Sequence, residues 1–209
     1  MSRIDAPLES IAVEVILSDE DQLEFDIPLL RDFIWRTNLL NAPHRADIFF
    51  TDYDSGISLF QRKGGVDFKV LNLVIPSFAP DLQLSGLTQA CNALLLPLPS
   101  LELLSIHKSK YELLPLQWQN EVENHRWLEF LRPFIAVKDL VLDEPAVLFV
   151  ASALAGLIEE RVAEILPVLQ NIVLDGFPSS SPVPKGIATF IAVREICGGL
   201  VVVDRQERK

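Results

Sequence analysis

The chain has 209 residues, 49% of them hydrophobic, which is enough apolar material for one large core or an array of similar units. Its 29 acidic and 18 basic residues give a net charge of −11. Nucleic acids and anionic membranes select basic surfaces, so this balance excludes both as expected partners and favours a neutral or basic protein partner.

The first ten residues, MSRIDAPLES, show neither the apolar core nor the cleavage pattern of a secretory signal, so we expect a cytoplasmic or nuclear protein. Cys91 and Cys197 lie far apart in apolar surroundings. This indicates buried free thiols in a reducing compartment and not a disulfide framework. The apolar stretch 147–158 ends well short of the roughly 20 residues of a spanning helix, so we expect a buried helix there.

A spacing of apolar residues written L-x-x-L-x-L recurs four times along the chain. The copies begin at Leu8, Leu101, Val137 and Leu169, and the last three start 36 and 32 residues apart. The distance from Leu8 to Leu101 has room for about three units of similar length. Each copy predicts a short strand whose spaced apolar residues face the core.

The segments between these copies predict further strands and helices. Residues 45–50 and 66–75 are rich in β-branched and aromatic side chains and are predicted strands of degenerate units. A helix is expected after Asp26, and KGG at 63–65 predicts a turn. Apolar residues recurring every three or four positions predict three more helices, with core faces at Leu84, Leu87, Cys91 and Leu94, at Trp127, Phe130, Leu131 and Phe134, and at Ile187, Phe190 and Ile191.

The last of these helices is predicted to end at the glycines 198 and 199, before a final strand in 200–204. A unit of one strand and one helix cannot bury its apolar side alone, whereas stacked units can. The sequence therefore predicts an α/β fold: an irregular leucine-rich-repeat-like open solenoid, with parallel strands on one side and helices on the other. We expect one domain over 1–209, with degenerate repeats in 1–80 and clearer strand–helix repeats in 81–209.

Motifs typical of catalysis or cofactor binding are not visible in the sequence. His44, His107 and His125 share no metal-ligand spacing with each other or with the cysteines, and KGG lacks the continuation of a phosphate-binding loop. We therefore predict no enzyme activity, no cofactor and no metal.

The strands themselves provide the candidate functional residues. Successive side chains of a strand point to opposite faces, so the residues between the inward apolar ones line the other face. Trp118, in a proline-flanked segment, is a candidate aromatic contact, whereas Trp127 has core spacing. The candidate partner-binding face comprises Glu14, Ser105, His107, Trp118, Asp139, Val141, Asp143, Asn171, Val173 and Asp175.

An acidic row is expected along this face. Glu14, Asp143 and Asp175 take the same place in three copies of the spacing, and His107 takes it in the fourth. We expect the row to contact a basic partner segment, with Val141 and Val173 supplying apolar contact. An ordinary solvated sheet face is the alternative, because carboxylates after strands also begin turns.

Three motifs carry a resemblance to a known family: W-L-E-F-L-x-P-F-x-A-V-K-x-L at 127–140, L-P-x-L-Q-N-I-x-L at 166–174 and G-I-x-x-F-I-A-x-R-E at 186–195. The chain resembles the leucine-rich-repeat-like C-terminal region of the F-box proteins that are expanded in mushroom-forming fungi, most firmly from about residue 81. The resemblance implies the substrate-recognition part of a ubiquitin-ligase adaptor. No segment before Ile27 resembles an F-box, so docking to the Skp1 adaptor is not expected.

The favoured interpretation is therefore a non-enzymatic protein-interaction module. One alternative is a small α/β hydrolase or transferase without a visible motif, which would show a cleft with converging polar groups at the carboxyl ends of its strands. The other is a truncated or degenerate gene product without independent function.

Overall fold

The computed structural model describes residues 11–14, 31–32, 36, 43–76, 80–94, 96–108, 121–157 and 159–207. The strands in these ranges are β1 Ile11–Glu14, β2 Arg45–Phe50, β3 Asp54–Lys63, β4 Val66–Pro76, β5 Leu103–Lys108, β6 Asp139–Asp143, β7 Asn171–Asp175 and β8 Val202–Gln206. The helices are α1 Pro80–Ala93, α2 Glu121–Leu131, α3 Glu144–Ala155, α4 Glu159–Val162 and α5 Lys185–Ile196, with a 3₁₀ turn at Leu98–Ser100. The fold is mixed α/β, as the sequence predicts.

The described strands form one open, mixed sheet in the order β1-β4-β3-β2-β5-β6-β7-β8. From β2 through β5, β6 and β7 to β8, every neighbouring pair is parallel. β1 also pairs in parallel with β4, whereas β3 is antiparallel to both β4 and β2. β3 therefore runs against the other seven described strands.

The L-x-x-L-x-L copies that begin at Leu101, Val137 and Leu169 form the neighbouring strands β5, β6 and β7. Leu104, Leu140 and Ile172 stand side by side across these strands, and all three are fully buried. Burying each such side chain contributes about 2 kcal/mol to folding before the entropy cost. The prediction that these spaced residues face the core is confirmed.

The copy that begins at Leu8 takes a different place. Its described part is β1, which pairs with β4 at the far edge, so β4, β3 and β2 separate it from β5. The expectation of uniformly stacked parallel units is wrong here, because residues 45–76 form a meander of three strands. Tight turns join β2 to β3 and β3 to β4, and such turns reverse the chain into antiparallel pairing.

The turn between β3 and β4 is the predicted KGG turn. Gly64 and Gly65 have φ of 60° and 83°, a backbone region that favours glycine because it lacks a Cβ. The strands predicted at 45–50 and 66–75 are confirmed as β2 and β4, but β3 was not predicted. Its sequence, DSGISLFQRK, begins with turn-forming residues that hide its apolar alternation.

A layer of helices covers one face of the sheet. α1 packs on β3 and β4, α3 packs on β5, β6 and β7, and neighbouring contacts run from α1 through α2 and α3 to α5. Trp127 of α2 is 1% exposed and packs edge to face on Phe50, with ring centroids 5.6 Å apart. The prediction of Trp127 as a core residue is confirmed. Because Phe50 contacts this helix residue, the helices cover the side of β2 that carries Ala46, Ile48 and Phe50.

The apolar stretch after residue 146 is the buried helix α3, as predicted. At Gly186, α5 approaches α3 so closely that a Cβ there would overlap the backbone of Ala151. Within the described residues, no helix is long and apolar enough to cross a membrane.

The two cysteines differ in their surroundings. Cys91 is buried in α1, and this burial raises the pKa of its thiol from 9.0 to about 12. Cys197 is exposed, so the expectation of two buried thiols is wrong for this residue. It caps the carboxyl end of α5, and Gly198 follows it with φ of 85°. Most of the helix expected after Asp26, with Trp35, lies outside the described residues.

Candidate functional site

The sheet face opposite the helix layer is the candidate site, and we call it the second face. Its β5–β8 part is made by alternate residues of four parallel strands, which the register aligns into rows. Along the rows, neighbouring strands are about 4.8 Å apart. The rows are Leu103, Asp139, Asn171 and Val202; Ser105, Val141, Val173 and Asp204; and His107, Asp143, Asp175 and Gln206.

Eight of the ten candidate residues from the sequence therefore lie together on β5, β6 and β7. Glu14 is not among them, because β1 is five strand spacings from β6, roughly 24 Å. Its side chain lies outside what the structure describes, as does all of Trp118. The expected continuous row from Glu14 to Asp175 is thus interrupted by β2, β3 and β4.

Asp143 has a structural role at the end of β6. Its side chain is buried, and Oδ1 accepts a hydrogen bond from the Ala146 N–H at 3.0 Å while Oδ2 accepts one from the Lys108 N–H at 2.9 Å. β6 runs directly into α3, so this carboxylate caps the helix and satisfies donors that the first turn leaves open. Asp143 belongs to the fold and not to the exposed acidic row.

The remaining candidates differ in exposure. Ser105 is buried at the centre of the face, whereas Val141 and Val173 beside it are half-buried. Asp139 accepts a 2.7 Å hydrogen bond from the Asn171 side-chain amide on the neighbouring strand. Asp175 is half-buried at the end of β7. The face therefore has Ser105, Val141 and Val173 at its centre, with the carboxylates of Asp139 and Asp175 in the rows on either side.

β8 adds two residues to this face that the sequence reasoning missed. Val202 is 54% exposed, and Asp204 is exposed next to Val173. The same alternation of side chains, applied to the last strand, would have found both. Val201 and Val203 are more buried than Val202 and Asp204, which therefore lie on the opposite side of the strand. The acidic side chains of this part are therefore Asp139, Asp175 and Asp204.

The part of the second face on β2, β3 and β4 has a different charge pattern. The Arg45 guanidinium donates to both carboxylate oxygens of Asp47, at 2.7 and 2.8 Å, and this contact raises the pKa of Arg45. Asp67 contacts Arg62 at 3.0 Å and His44 at 3.2 Å. The hydrogen bond from Arg62 lowers the pKa of the Asp67 carboxyl. Asp47 and Asp67 of this part are therefore paired with bases.

The carboxyl end of β5 lies beside that of β2, where the order of strands reverses. Lys108 extends there with its Nζ 5.2 Å from the centre of the Phe149 ring. Burial lowers the pKa of Lys108, and the nearby Asp52 carboxylate partly opposes this effect. His107 lies nearby, with Nδ1 3.9 Å from Asp143 Oδ2. In parallel α/β sheets such a reversal is a common place for a ligand.

A groove of about 630 Å³ lies between α1 and α2, lined by Ser85, Thr88, Gln89, Asn92, Ala93, Arg126 and Glu129. Its walls are helix residues, so it is separate from the second face. Within the described ranges, no group of three or more His, Cys, Asp or Glu side chains is placed to hold a metal ion. No protein-family model, curated protein or solved structure matches this chain.

Proposed function

We propose that the chain is a non-enzymatic module that binds a protein partner on the β5–β8 part of the second face. The proposed architecture behind it is an irregular leucine-rich-repeat-like solenoid over the strand–helix units of β5 to β8. The parallel register of these strands and the helices that follow β5, β6 and β7 support this assignment. In such arrays the helices cover one face and the other is available to a partner.

The observation that carries the proposal is the chemistry of this face. Its twelve side chains include Asp139, Asp175 and Asp204 around Val141 and Val173, and none of the twelve is Lys or Arg. A partner segment with basic side chains and some apolar ones complements this arrangement. The partner class we propose is therefore a basic, partly apolar protein segment.

The wider role we propose is substrate recognition for a ubiquitin ligase. Its support is the resemblance of the motifs at 127–140, 166–174 and 186–195 to the substrate-holding region of fungal F-box proteins. In that role the module acts in the cytoplasm or nucleus, and the second face contacts the protein to be ubiquitinated. Trp118 stays a proposed aromatic contact of this partner.

A synthetic peptide of alternating lysine and valine, labelled with fluorescein, is a direct probe of the face. We expect it to bind the full chain in an anisotropy titration, and a peptide with glutamate in place of lysine to bind at least about tenfold more weakly, since like charges oppose association. The double variant Asp175→Lys with Asp204→Lys should reverse this preference.

Glu195→Lys is the matched control, because Glu195 is an exposed acid of α5, on the other side of the sheet. It changes the net charge in the same direction without altering the face. We expect peptide affinity within about twofold of wild type for this variant. Equal binding of both peptides, or an equal loss in Glu195→Lys and in the double variant, would refute a specific role for the face.

A further inference from the structure

The hairpin of β3 and β4 projects beyond the rest of the described sheet, and we call residues 61–69 the β3–β4 ribbon. β2 pairs with β3 only as far as Phe60, and β1 pairs with β4 only from Leu71 onward. Among the described residues, the two strands of the ribbon therefore pair only with each other. Three residues beyond the sheet at about 3.4 Å each give a projection of about 10 Å.

The ribbon combines exposed apolar and basic side chains. Val66 is 56% exposed and Phe68 is 50% exposed. Lys63 and Lys69 are also exposed, and Arg62 is exposed while it pairs with Asp67. Three bases against one acid give the ribbon a net positive charge in a chain whose total is −11. An exposed hairpin with this composition is typical of a contact surface.

We propose that the β3–β4 ribbon of one copy binds the β5–β8 part of the second face of another copy. Lys63, Val66 and Phe68 lie on one side of the ribbon, so Lys63 complements the carboxylates of that face and Val66 and Phe68 complement its valines. Lys69 lies on the other side of the ribbon and adds to its positive charge. This inference rests on the proposed function for its acceptor surface, because the same face is expected to hold the basic partner. The proposed occupant of the site is therefore the ribbon of a second copy of the chain.

The contact joins two different surfaces, so in a pair of copies one keeps its face and the other keeps its ribbon for a further neighbour. Association of this head-to-tail kind leads to short chains or closed rings. A nine-residue ribbon buries less than the standard interface area, so we expect a dissociation constant on the order of 100 µM and strong sensitivity to salt. Self-association and partner binding then exclude each other on the same face.

Sedimentation of the full chain over about a hundredfold range of concentration tests the proposal. At low salt we expect the average mass to rise with concentration, and at high salt to return to that of a monomer, because screening weakens exposed charge contacts. The variants Lys63→Glu with Lys69→Glu, and Asp175→Lys with Asp204→Lys, should each remain monomeric. An equimolar mixture of the two should associate again, since each altered surface then meets its opposite charge.

Circular dichroism melts of both variants establish that they fold before they are compared. A wild-type chain that stays monomeric at low salt, or a mixture that fails to associate, would overturn the proposal. Vesicles containing phosphatidylserine are the further arm. If wild-type chain binds them through Lys63 and Lys69 while the charge-swapped mixture stays monomeric, the ribbon contacts lipid and not a second copy.

The failure of this inference can be told apart from the failure of the proposed function. Lys63→Glu with Lys69→Glu has an unaltered acceptor face and should still bind the lysine–valine peptide. If the peptide binds but the chain does not self-associate, only the proposed ribbon contact is refuted. If the chain self-associates and responds to the charge swap but does not bind the peptide, the proposed basic peptide partner is refuted and the contact between copies is supported.

Discussion

The two halves of the sheet are built by different rules. From β5 to β8 the strands have five or six residues, all neighbours are parallel, and helices connect them. From β1 to β4 the strands β3 and β4 have 10 and 11 residues, a turn of two residues joins them, and the order departs from that of the chain. A recurring apolar spacing thus specifies neighbours only where a helix separates consecutive strands, because only such a connection returns the chain in parallel.

The largest expected effect tests whether the halves are one cooperative unit. Leu140→Ala in β6 and Leu59→Ala in β3 both remove a fully buried side chain of the same core. Each should lower the free energy of unfolding by about 3 kcal/mol, because the substitution loses the transfer free energy of the removed atoms and also leaves a cavity in the core. Urea unfolding monitored by circular dichroism measures this. Val141→Ala is the control for β6 and should lower the free energy of unfolding by less than about 1 kcal/mol. Separate unfolding transitions for the two halves of the sheet would contradict a shared core.

A smaller effect compares two positions that the repeat makes equivalent. Asp143→Ala removes the cap of α3 and the acceptor for the Lys108 N–H, and should cost about 1–2 kcal/mol. Asp175→Ala, one strand along, should cost less than Asp143→Ala, because no helix begins directly after Asp175 for its side chain to cap. Thermal and urea unfolding of the two variants give the comparison. Equal losses in the free energy of unfolding would mean that Asp143 and Asp175 stabilise the fold to the same extent, and would contradict a capping role that belongs to Asp143 alone.

Two glycines of the β1–β4 half should respond in opposite directions. Gly65→Ala places a side chain at φ 83° in the ribbon turn and should destabilise the chain by about 1 kcal/mol. Gly86→Ala lies inside α1, where the nearest atom to an added Cβ is Ile75 Cγ2 at 3.9 Å. It should stabilise by about 0.5 kcal/mol through the higher helix propensity of alanine. Melting temperatures that shift in the same direction would contradict this assignment.

The smallest effect on stability comes from the exposed thiol. Cys197→Ser should leave the free energy of unfolding within about 0.5 kcal/mol of wild type. A thiol reagent at pH 8 should modify Cys197 in the folded chain and reach Cys91 only after unfolding. Rapid modification of two thiols in the native chain would contradict the burial of Cys91.

The raised pKa of Cys91 also gives a sign for the dependence of stability on pH. Above pH 9.0 the unfolded chain loses this proton, whereas the folded chain keeps it until about 12. The contribution is therefore fully present below pH 9.0 and is lost as pH rises toward about 12. Cys91→Ala removes this dependence, which urea unfolding at two alkaline pH values would measure.

The sequence predicted the parts of the fold that depend on local periodicity. Leu104, Leu140 and Ile172 were predicted to be buried on neighbouring strands, and Trp127 to be in the core, because spacing reports which side of an element faces inward. The place of β1 could not be predicted, because its apolar spacing shows which residues face the core but not that β4 becomes its neighbour.

The sequence predicted which residues of the candidate site share a face of the sheet, but it did not predict the capping role of Asp143 or the contribution of Asp204. Asp143 has the sequence context of a strand end, yet Glu144 and Pro145 after it are a signal for the start of a helix, and that signal predicts a cap. Asp204 required the same alternation to be applied to the last strand. The ribbon could not be recognised, because its exposure depends on where β1 and β2 stop pairing.

Gly186 has a mechanical consequence for the second face. Strands hydrogen-bonded side by side are about 4.8 Å apart, whereas packed helices are about 8–10 Å apart, so a helix layer wider than its sheet must bend that sheet. Because Gly186 lets α5 approach the backbone of Ala151, it reduces this difference between β6 and β7. A residue on the opposite side of the molecule therefore contributes to the spacing of β6 and β7, the strands that present Val141 and Val173 to a partner.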